Sequence, residues 1–176
     1  IKGVGLGNLI SPKKPIYMGN SGTGARLLIG LVAGSNATVT FYGDESLSKR
    51  PMNRIIRPLE KMGCKFVCDN EDKLPITVIG ARSKGFTMPI KHKTTVPSAQ
   101  VKSAILLAAL TARGVTTVKE PLKSRDYTEK MLLARGIKLN SKQNSFKKNI
   151  IQVSGSSYLK SIDENIPGDP SSAAFI

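Results

Sequence analysis

The sequence predicts an α/β fold built from a repeated unit, with buried helices inside and sheets outside. Three observations predict it. The same order of elements occurs twice, one helix in each copy has no polar face, and the strands between them alternate apolar and polar residues. With 176 residues and 40% hydrophobic content the chain can bury a core. Without Trp, and with only 5% aromatic residues, that core is made of Leu, Ile, Val and Ala.

The first copy spans residues 19–80. It opens at Gly19-Asn20-Ser21-Gly22-Thr23, continues as an apolar helix through Leu31, and reaches a strand at Thr38-Val39-Thr40-Phe41. A polar loop then ends in Arg50-Pro51. Pro51 suits the first position of the next helix, where its missing N–H leaves no hydrogen bond unmade. In that helix Met52, Ile55, Ile56, Leu59 and Met62 fall on one stripe at i, i+3, i+4, i+7 and i+10, with Arg54, Arg57, Glu60 and Lys61 on the wet side. Gly63 is free to take the left-handed cap after it. Strands Lys65-Phe66-Val67 and Ile76-Thr77-Val78-Ile79 complete the copy.

The second copy spans residues 97–154, about 75 residues further on, a longer period than that of solenoid repeats. It opens at Pro97-Ser98-Ala99-Gln100, runs as a helix to Leu110, and forms a strand at Val115-Thr116-Thr117-Val118. A loop ends in Ser124-Arg125-Asp126, a helix closes at Arg135-Gly136, and strands follow near Ile137–Leu139 and Ile150–Val153. Leu27, Leu28, Ile29, Leu31 and Val32 in one copy, and Ala104 through Leu110 in the other, leave no polar face. Both helices are expected to be buried on nearly all sides. A third copy begins at Pro167-Gly168-Asp169-Pro170. Residues 1–165 are therefore expected to form most of one domain, and residues 166–176 the crossing into a second. The start without Met and the apolar end point to a piece of a longer chain.

The net charge of +15 admits three readings: a nucleic-acid binder, an enzyme for anionic phosphorylated molecules, or compositional bias. The lysines are scattered, as at Lys13-Lys14 and Lys147-Lys148, and no aromatic–glycine RNA-binding signature is present, which argues against nucleic acid. No apolar run approaches the ~18 residues of a membrane-spanning helix. Cys64 and Cys68 make no disulfide framework, so a reducing, cytoplasmic setting is expected. They read as two small hydrophobes on one strand face. No metal site and no cofactor is expected, because the pair has only His92, read as a loop residue, nearby.

Four segments can carry chemistry. The glycine-rich start Gly19–Ala25 lets backbone N–H groups approach an anion at a helix N-terminus, and Arg26 adds charge; a tight turn without a ligand is the plainer reading. Arg50, ahead of a helix, offers a bidentate fork, or else pairs with Asp44 or Glu45. Ser98 and Gln100 can hydrogen-bond a phosphate at the second helix start, where Ser98 also suits an ordinary N-cap, while Lys102 and Ser103 can face another element. Arg125 stands in copy two where Arg50 stands in copy one, and Asp126 with Glu129 has the spacing of a capping box. Together these place oriented donors and positive charge at one end of the fold, suited to a phosphorylated carboxylate.

In order along the chain, Gly19-Asn20-Ser21-Gly22-Thr23, Lys49-Arg50-Pro51-Met52, Ser98-Ala99-Gln100-Val101-Lys102-Ser103, Ser124-Arg125-Asp126 and Pro167-Gly168-Asp169-Pro170-Ser171-Ser172 resemble the EPSP synthase family, in its bacterial class II form. The resemblance covers essentially the whole chain. It implies an inside-out α/β barrel of the enolpyruvyl transferase type, two domains each of three βαβαββ units, with the active site in the cleft between them. It implies transfer of the enolpyruvyl group of phosphoenolpyruvate to shikimate 3-phosphate. Gly22, Arg50 and Gln100 then resemble phosphoenolpyruvate contacts, with Asn20 lining that side. Ser98, Ala99 and Gln100 resemble shikimate 3-phosphate contacts, with Arg125 beside them. Ala99 stands where many members have a second Ser, and Gly22 where several glyphosate-tolerant members have Ala. The implied partners are the two small substrates and the missing second domain, in a monomer. The family's acid–base carboxylates lie in segments absent here, so this chain alone is expected to be inactive. The sister family that uses UDP-N-acetylglucosamine shares the fold, but it carries a Cys in the loop before its Arg-Pro, and Gly43–Lys49 has none.

Overall fold

The computed structural model describes residues 2–68, 72–143, 148–156, 158–166 and 168. In chain order the elements are β1 Ile16–Tyr17, α1 Gly22–Ala33, β2 Thr38–Tyr42, α2 Glu45–Ser48, α3 Asn53–Lys61, β3 Lys65–Cys68 and β4 Ile76–Ile79. They continue as β5 Lys91–Lys93, α4 Ala99–Ala109, β6 Val115–Glu120, α5 Tyr127–Ala134, β7 Leu139–Gln143 and β8 Asn149–Ser154. Two four-stranded sheets result, β1-β2-β4-β3 and β5-β6-β8-β7, with one topology. In each, the short first strand pairs parallel to the second and the other pairs are antiparallel.

The chain alternates in and out along these strands. Val39 and Phe41 of β2, Ile76 and Val78 of β4, and Ile151 and Val153 of β8 are buried, while Thr38 and Tyr42 face out. A sheet with one wet face must cover the other, and here α1 and α4 cover it, packed against each other. The fold is inside-out: helices at the centre, sheets outside. Among the described residues no helix is long and apolar enough to cross a membrane.

Several expectations are corrected. The opening strands β1 and β5 have two and three residues, too few to show a period of two. His92 therefore lies in β5, half-buried, rather than in a loop; burial, and then Lys61, lowers its pKa. α3 begins at Asn53, two residues after Pro51, because the loop before β4 caps it: Met52 N–H donates to the Asp72 carbonyl (2.8 Å) and Asn53 N–H to Asp72 Oδ2 (3.1 Å). The predicted stripe of α3 is otherwise intact, with Met52, Ile55, Ile56, Leu59 and Met62 all buried. α4 is enclosed as expected, but α1 is not: Leu28 is 39% exposed and Leu27 and Leu31 are half-buried, so α1 keeps one open apolar side. Apart from Ile166 and Gly168, residues 166–176 lie outside the described residues.

Cys64 and Cys68 form no disulfide, and Cys64 is buried just ahead of β3. Burial, helped by Glu60, pushes the Cys64 thiol up to about 12. The thiolate is the reactive form. Native protein at pH 8 is expected to leave Cys64 unmodified by iodoacetamide over hours and to release it on denaturation. Mass-spectrometric mapping of rapid native labelling at Cys64 would contradict this burial.

Candidate functional site

The site begins with how α1 starts. Gly19 has φ +54°, a left-handed turn that lets the chain swing into the helix. Ser21 caps it, its Oγ accepting from Gly24 N–H at 3.1 Å, which makes Gly22 the first helical residue. Ser98 does the same for α4, its Oγ accepting from Val101 N–H at 3.4 Å. Both helix starts leave backbone donors over: Thr23 N–H in α1, and Ala99 and Gln100 N–H in α4, have no partner among the described residues. Such donors, with the positive end of the helix dipole, favour an anion.

Arg50 follows the one-turn helix α2. Asp44 Oδ1 caps that helix (2.7 Å from Leu47 N) and Glu45 pairs with Lys49 (2.6 Å), so neither acid is taken by Arg50. Arg50 is exposed, and its Nη2 donates instead to Asn20 Oδ1 at 2.6 Å and reaches Ser46 Oγ at 3.5 Å. From the other repeat, Gln100 Nε2 donates to Thr23 Oγ1 at 2.7 Å. Asn20 and Thr23 belong to the same turn, so Arg50 and Gln100, far apart in sequence, meet on one rim.

The rim is positive. Arg26 Nη1 donates to the Gly22 carbonyl (3.0 Å) and its Nη2 to the Pro51 carbonyl (3.2 Å), which locks it in place. Burial, then the charges of Arg50 and Arg54, lowers the Arg26 pKa. Three guanidinium groups crowd one place, a field that an incoming anion relieves. A methyl group on Gly22 would sit 2.9 Å from Arg26 Nη1 and 3.0 Å from Arg50 Nη1, so only Gly leaves the two forks undisturbed.

Next to this rim is a cavity of about 180 Å³ lined by Thr23, Leu27, Ala99, Gln100, Ser103, Arg125, Tyr127 and Thr128. It gathers three of the residues singled out above, Ala99, Gln100 and Arg125, beneath the capping residue Ser98. A larger cavity of about 620 Å³, bounded by the 2–9 segment, Leu31 and Leu107, holds none of them; its walls are mostly apolar.

Two side chains behave differently from expectation. Glu129 does not complete a capping box, and Asp126 makes no side-chain cap at α5. Glu129 turns inward to Lys102 Nζ (2.7 Å), while Asp126 pairs with Lys130 (3.0 Å) and Lys123 (3.1 Å), hydrogen bonds that hold its carboxyl down to about 2. Sequence reasoning placed Thr23 in the glycine-rich helix start but gave its side chain no role, whereas it lines the cavity and accepts from Gln100. It likewise set Arg54 aside as a wet-side residue, though it lies close enough to act on Arg26.

The family model described as EPSP synthase (3-phosphoshikimate 1-carboxyvinyltransferase) matches residues 1–176. The chain belongs to the EPSP synthase family. A 3-phosphoshikimate 1-carboxyvinyltransferase of Parvibaculum lavamentivorans is 49% identical over 99% of this chain and 38% of its own length. One from Zymomonas mobilis is 48% identical over 100% of this chain and 38% of its own. A solved EPSP synthase structure from Acinetobacter baumannii superposes with a TM-score of 0.82 at 41% identity, covering 98% of this chain and 37% of that one. The chain thus spans a little over a third of the EPSP synthases it matches.

Proposed function

We propose that this chain supplies one wall of the active site of an EPSP synthase. The reaction adds the 5-hydroxyl of shikimate 3-phosphate to C2 of phosphoenolpyruvate and then expels phosphate, giving 5-enolpyruvylshikimate 3-phosphate. The observation that carries this reading is the meeting of Arg50 and Gln100 on the turn that holds Asn20 and Thr23. Arg50, with Asn20 orienting its fork, takes the phosphate or carboxylate of phosphoenolpyruvate. Gly22 keeps the approach open, and the amide of Gln100 sits between the two substrates. The Ser98 hydroxyl, the free N–H groups of Ala99 and Gln100, and Arg125 take the phosphate of shikimate 3-phosphate in the 180 Å³ cavity.

The chain's contribution is to bind, orient and concentrate positive charge where phosphate departs. The proton-transfer carboxylates come from the remaining part of the longer protein, its second domain included. We place that protein in the cytoplasm as a monomer without a cofactor. The UDP-N-acetylglucosamine reaction is the less favoured reading, since α2 and its loop carry no Cys.

The test compares two preparations. The full-length protein is expected to turn over phosphoenolpyruvate and shikimate 3-phosphate, with UDP-N-acetylglucosamine neither consumed nor competing. The 176-residue chain alone is expected to show no turnover, because half of the donors around the substrates are missing. A full-length protein inactive on shikimate 3-phosphate, or one that prefers duplex DNA at low salt with a steep salt dependence, overturns the assignment.

A further inference from the structure

Beneath the 180 Å³ cavity lies a buried ionic cluster that the proposed chemistry does not use. Lys102 of α4 is fully buried; its Nζ is 2.7 Å from Glu129 Oε1 and 3.2 Å from Glu120 Oε2, and it donates to the Arg125 carbonyl at 3.0 Å. Glu120, at the end of β6, also accepts from Ser124 Oγ (2.5 Å) and Asn149 Nδ2 (3.2 Å). Glu129 is 4% exposed and, the ion pair aside, neither of its oxygens receives an aligned hydrogen bond.

The internal repeat shows what such a cluster is not needed for. Ser21 and Ser98 cap their helices in the same way, and the fourth residue beyond each is Ala25 in α1 and Lys102 in α4, both fully buried. Repeat one fills that position with an apolar methyl. A buried charge with two carboxylates is a costly substitute for an apolar contact, so stability alone does not account for it.

The repeats differ in one other respect at the same place. In repeat one the arginine loop is structured by α2, and Arg50 N–H closes it onto the Leu47 carbonyl at 3.0 Å. Repeat two has no helix there, and residues 121–125 make no backbone–backbone hydrogen bond among the described residues. Two bonds tie this loop to the fold interior, Lys102 Nζ to the Arg125 carbonyl and Ser124 Oγ to Glu120, and both end in the cluster. Lys102 also lies on the same helix as Ala99 and Gln100, which line the cavity with Arg125.

We propose that Lys102, Glu120 and Glu129 form a positioning clamp that replaces the missing helix of repeat two and fixes the Arg125 loop relative to the Ser98–Gln100 helix start. Lys102 touches no substrate; it sets where the Arg125 guanidinium stands. This proposal rests on the assignment of that cavity to the shikimate 3-phosphate phosphate group.

The test uses the full-length protein. Lys102→Met is expected to raise KM for shikimate 3-phosphate about 10-fold or more while KM for phosphoenolpyruvate stays within about 3-fold. Arg125→Ala alone is expected to raise the same constant about 10-fold, but to add less than about 2-fold on top of Lys102→Met, the coupling that a purely structural role would not produce. Ser124→Ala removes only one hydroxyl from the clamp and serves where Lys102→Met does not fold; it is expected to give about a 3-fold rise with the same loss of additivity. Limited trypsin digestion reads the clamp without substrate: both variants are expected to cleave after Lys123 or Arg125 at least about 5-fold faster than the parent. Additive effects, or unchanged cleavage, overturn the clamp. A parent protein that binds no shikimate 3-phosphate but still shows faster loop cleavage in the variants fails the functional assignment and leaves the clamp standing.

Discussion

Arg50→Lys is expected to lower kcat/KM for phosphoenolpyruvate by about 10- to 100-fold in the full-length protein while leaving the unfolding midpoint unchanged. Arg50 is exposed, and its guanidinium hydrogen-bonds only at the rim, to Asn20 and Ser46. Its removal opens no cavity. Lysine keeps the positive charge, so the long-range field from Arg26 and Arg54 is little altered. What disappears is the planar fork, which can hold Asn20 with one N–H while the others face an oxyanion. Losing one oriented, charged hydrogen bond costs about 1.5–3 kcal/mol, and each 1.4 kcal/mol is a factor of ten in rate or affinity. The loss should fall on phosphoenolpyruvate and spare shikimate 3-phosphate, whose phosphate is assigned to Ser98, Ala99, Gln100 and Arg125. Steady-state kinetics with each substrate varied would decide it. A variant within about 3-fold of the parent would show that charge alone suffices and that the Asn20–Arg50 geometry has no role.

The sequence carried this rim in an uneven way. The amphipathic stripe of α3 and the unbroken apolar run of α4 were legible because each obeys a single period. Arg50 at the rim and Arg125 in the neighbouring cavity were legible because the repeat put them at corresponding loop positions. Features that depend on tertiary partners were not. β1 and β5 exist only because β2 and β6 lie beside them to accept their pairing. α3 starts where Asp72, nineteen residues away in sequence, accepts from the Asn53 N–H. Glu129 has the spacing of a capping residue but is drawn inward by Lys102, a buried charge that outweighs a surface N-cap. Thr23 gains its place in the site only through Gln100 of the other repeat. Local signals thus fixed the elements, and the contacts between repeats fixed which side chains meet on the Asn20–Thr23 turn.

Gly30→Ala is expected to destabilise the protein, although an isolated helix would gain from it. Alanine is favoured over glycine in a helix interior by about 0.5–1 kcal/mol. Gly30 lies in the middle of α1, where α1 crosses α4, and a methyl group there would fall 2.6 Å from the Ala104 Cα and 2.8 Å from its carbonyl carbon. These are backbone atoms of a helix whose residues Ala104, Ile105 and Leu106 are fully buried, so nothing nearby is a flexible side-chain end that can swing aside. Relief requires α1 and α4 to move apart. That movement would loosen the small-residue contact repeated one turn on, at Gly34 against Ala108, and disturb both sheets that rest on the two helices. Overpacking of this kind costs about 1–3 kcal/mol and more when backbone must shift, which exceeds the propensity gain. The net effect expected is about 2 kcal/mol of lost stability, or about 4–8 °C in Tm for a domain of this size. Gly22→Ala makes the control: its methyl would crowd only the movable guanidinium ends of Arg26 and Arg50, with Leu47 Cδ1 at an ordinary 3.6 Å, so it should leave Tm nearly unchanged and act on phosphoenolpyruvate binding instead. Denaturant unfolding monitored by circular dichroism tests the pair. A Gly30→Ala protein as stable as its parent would mean that the central helices are not in close contact, and the inside-out packing that sets the Arg50–Gln100 rim would lose its support.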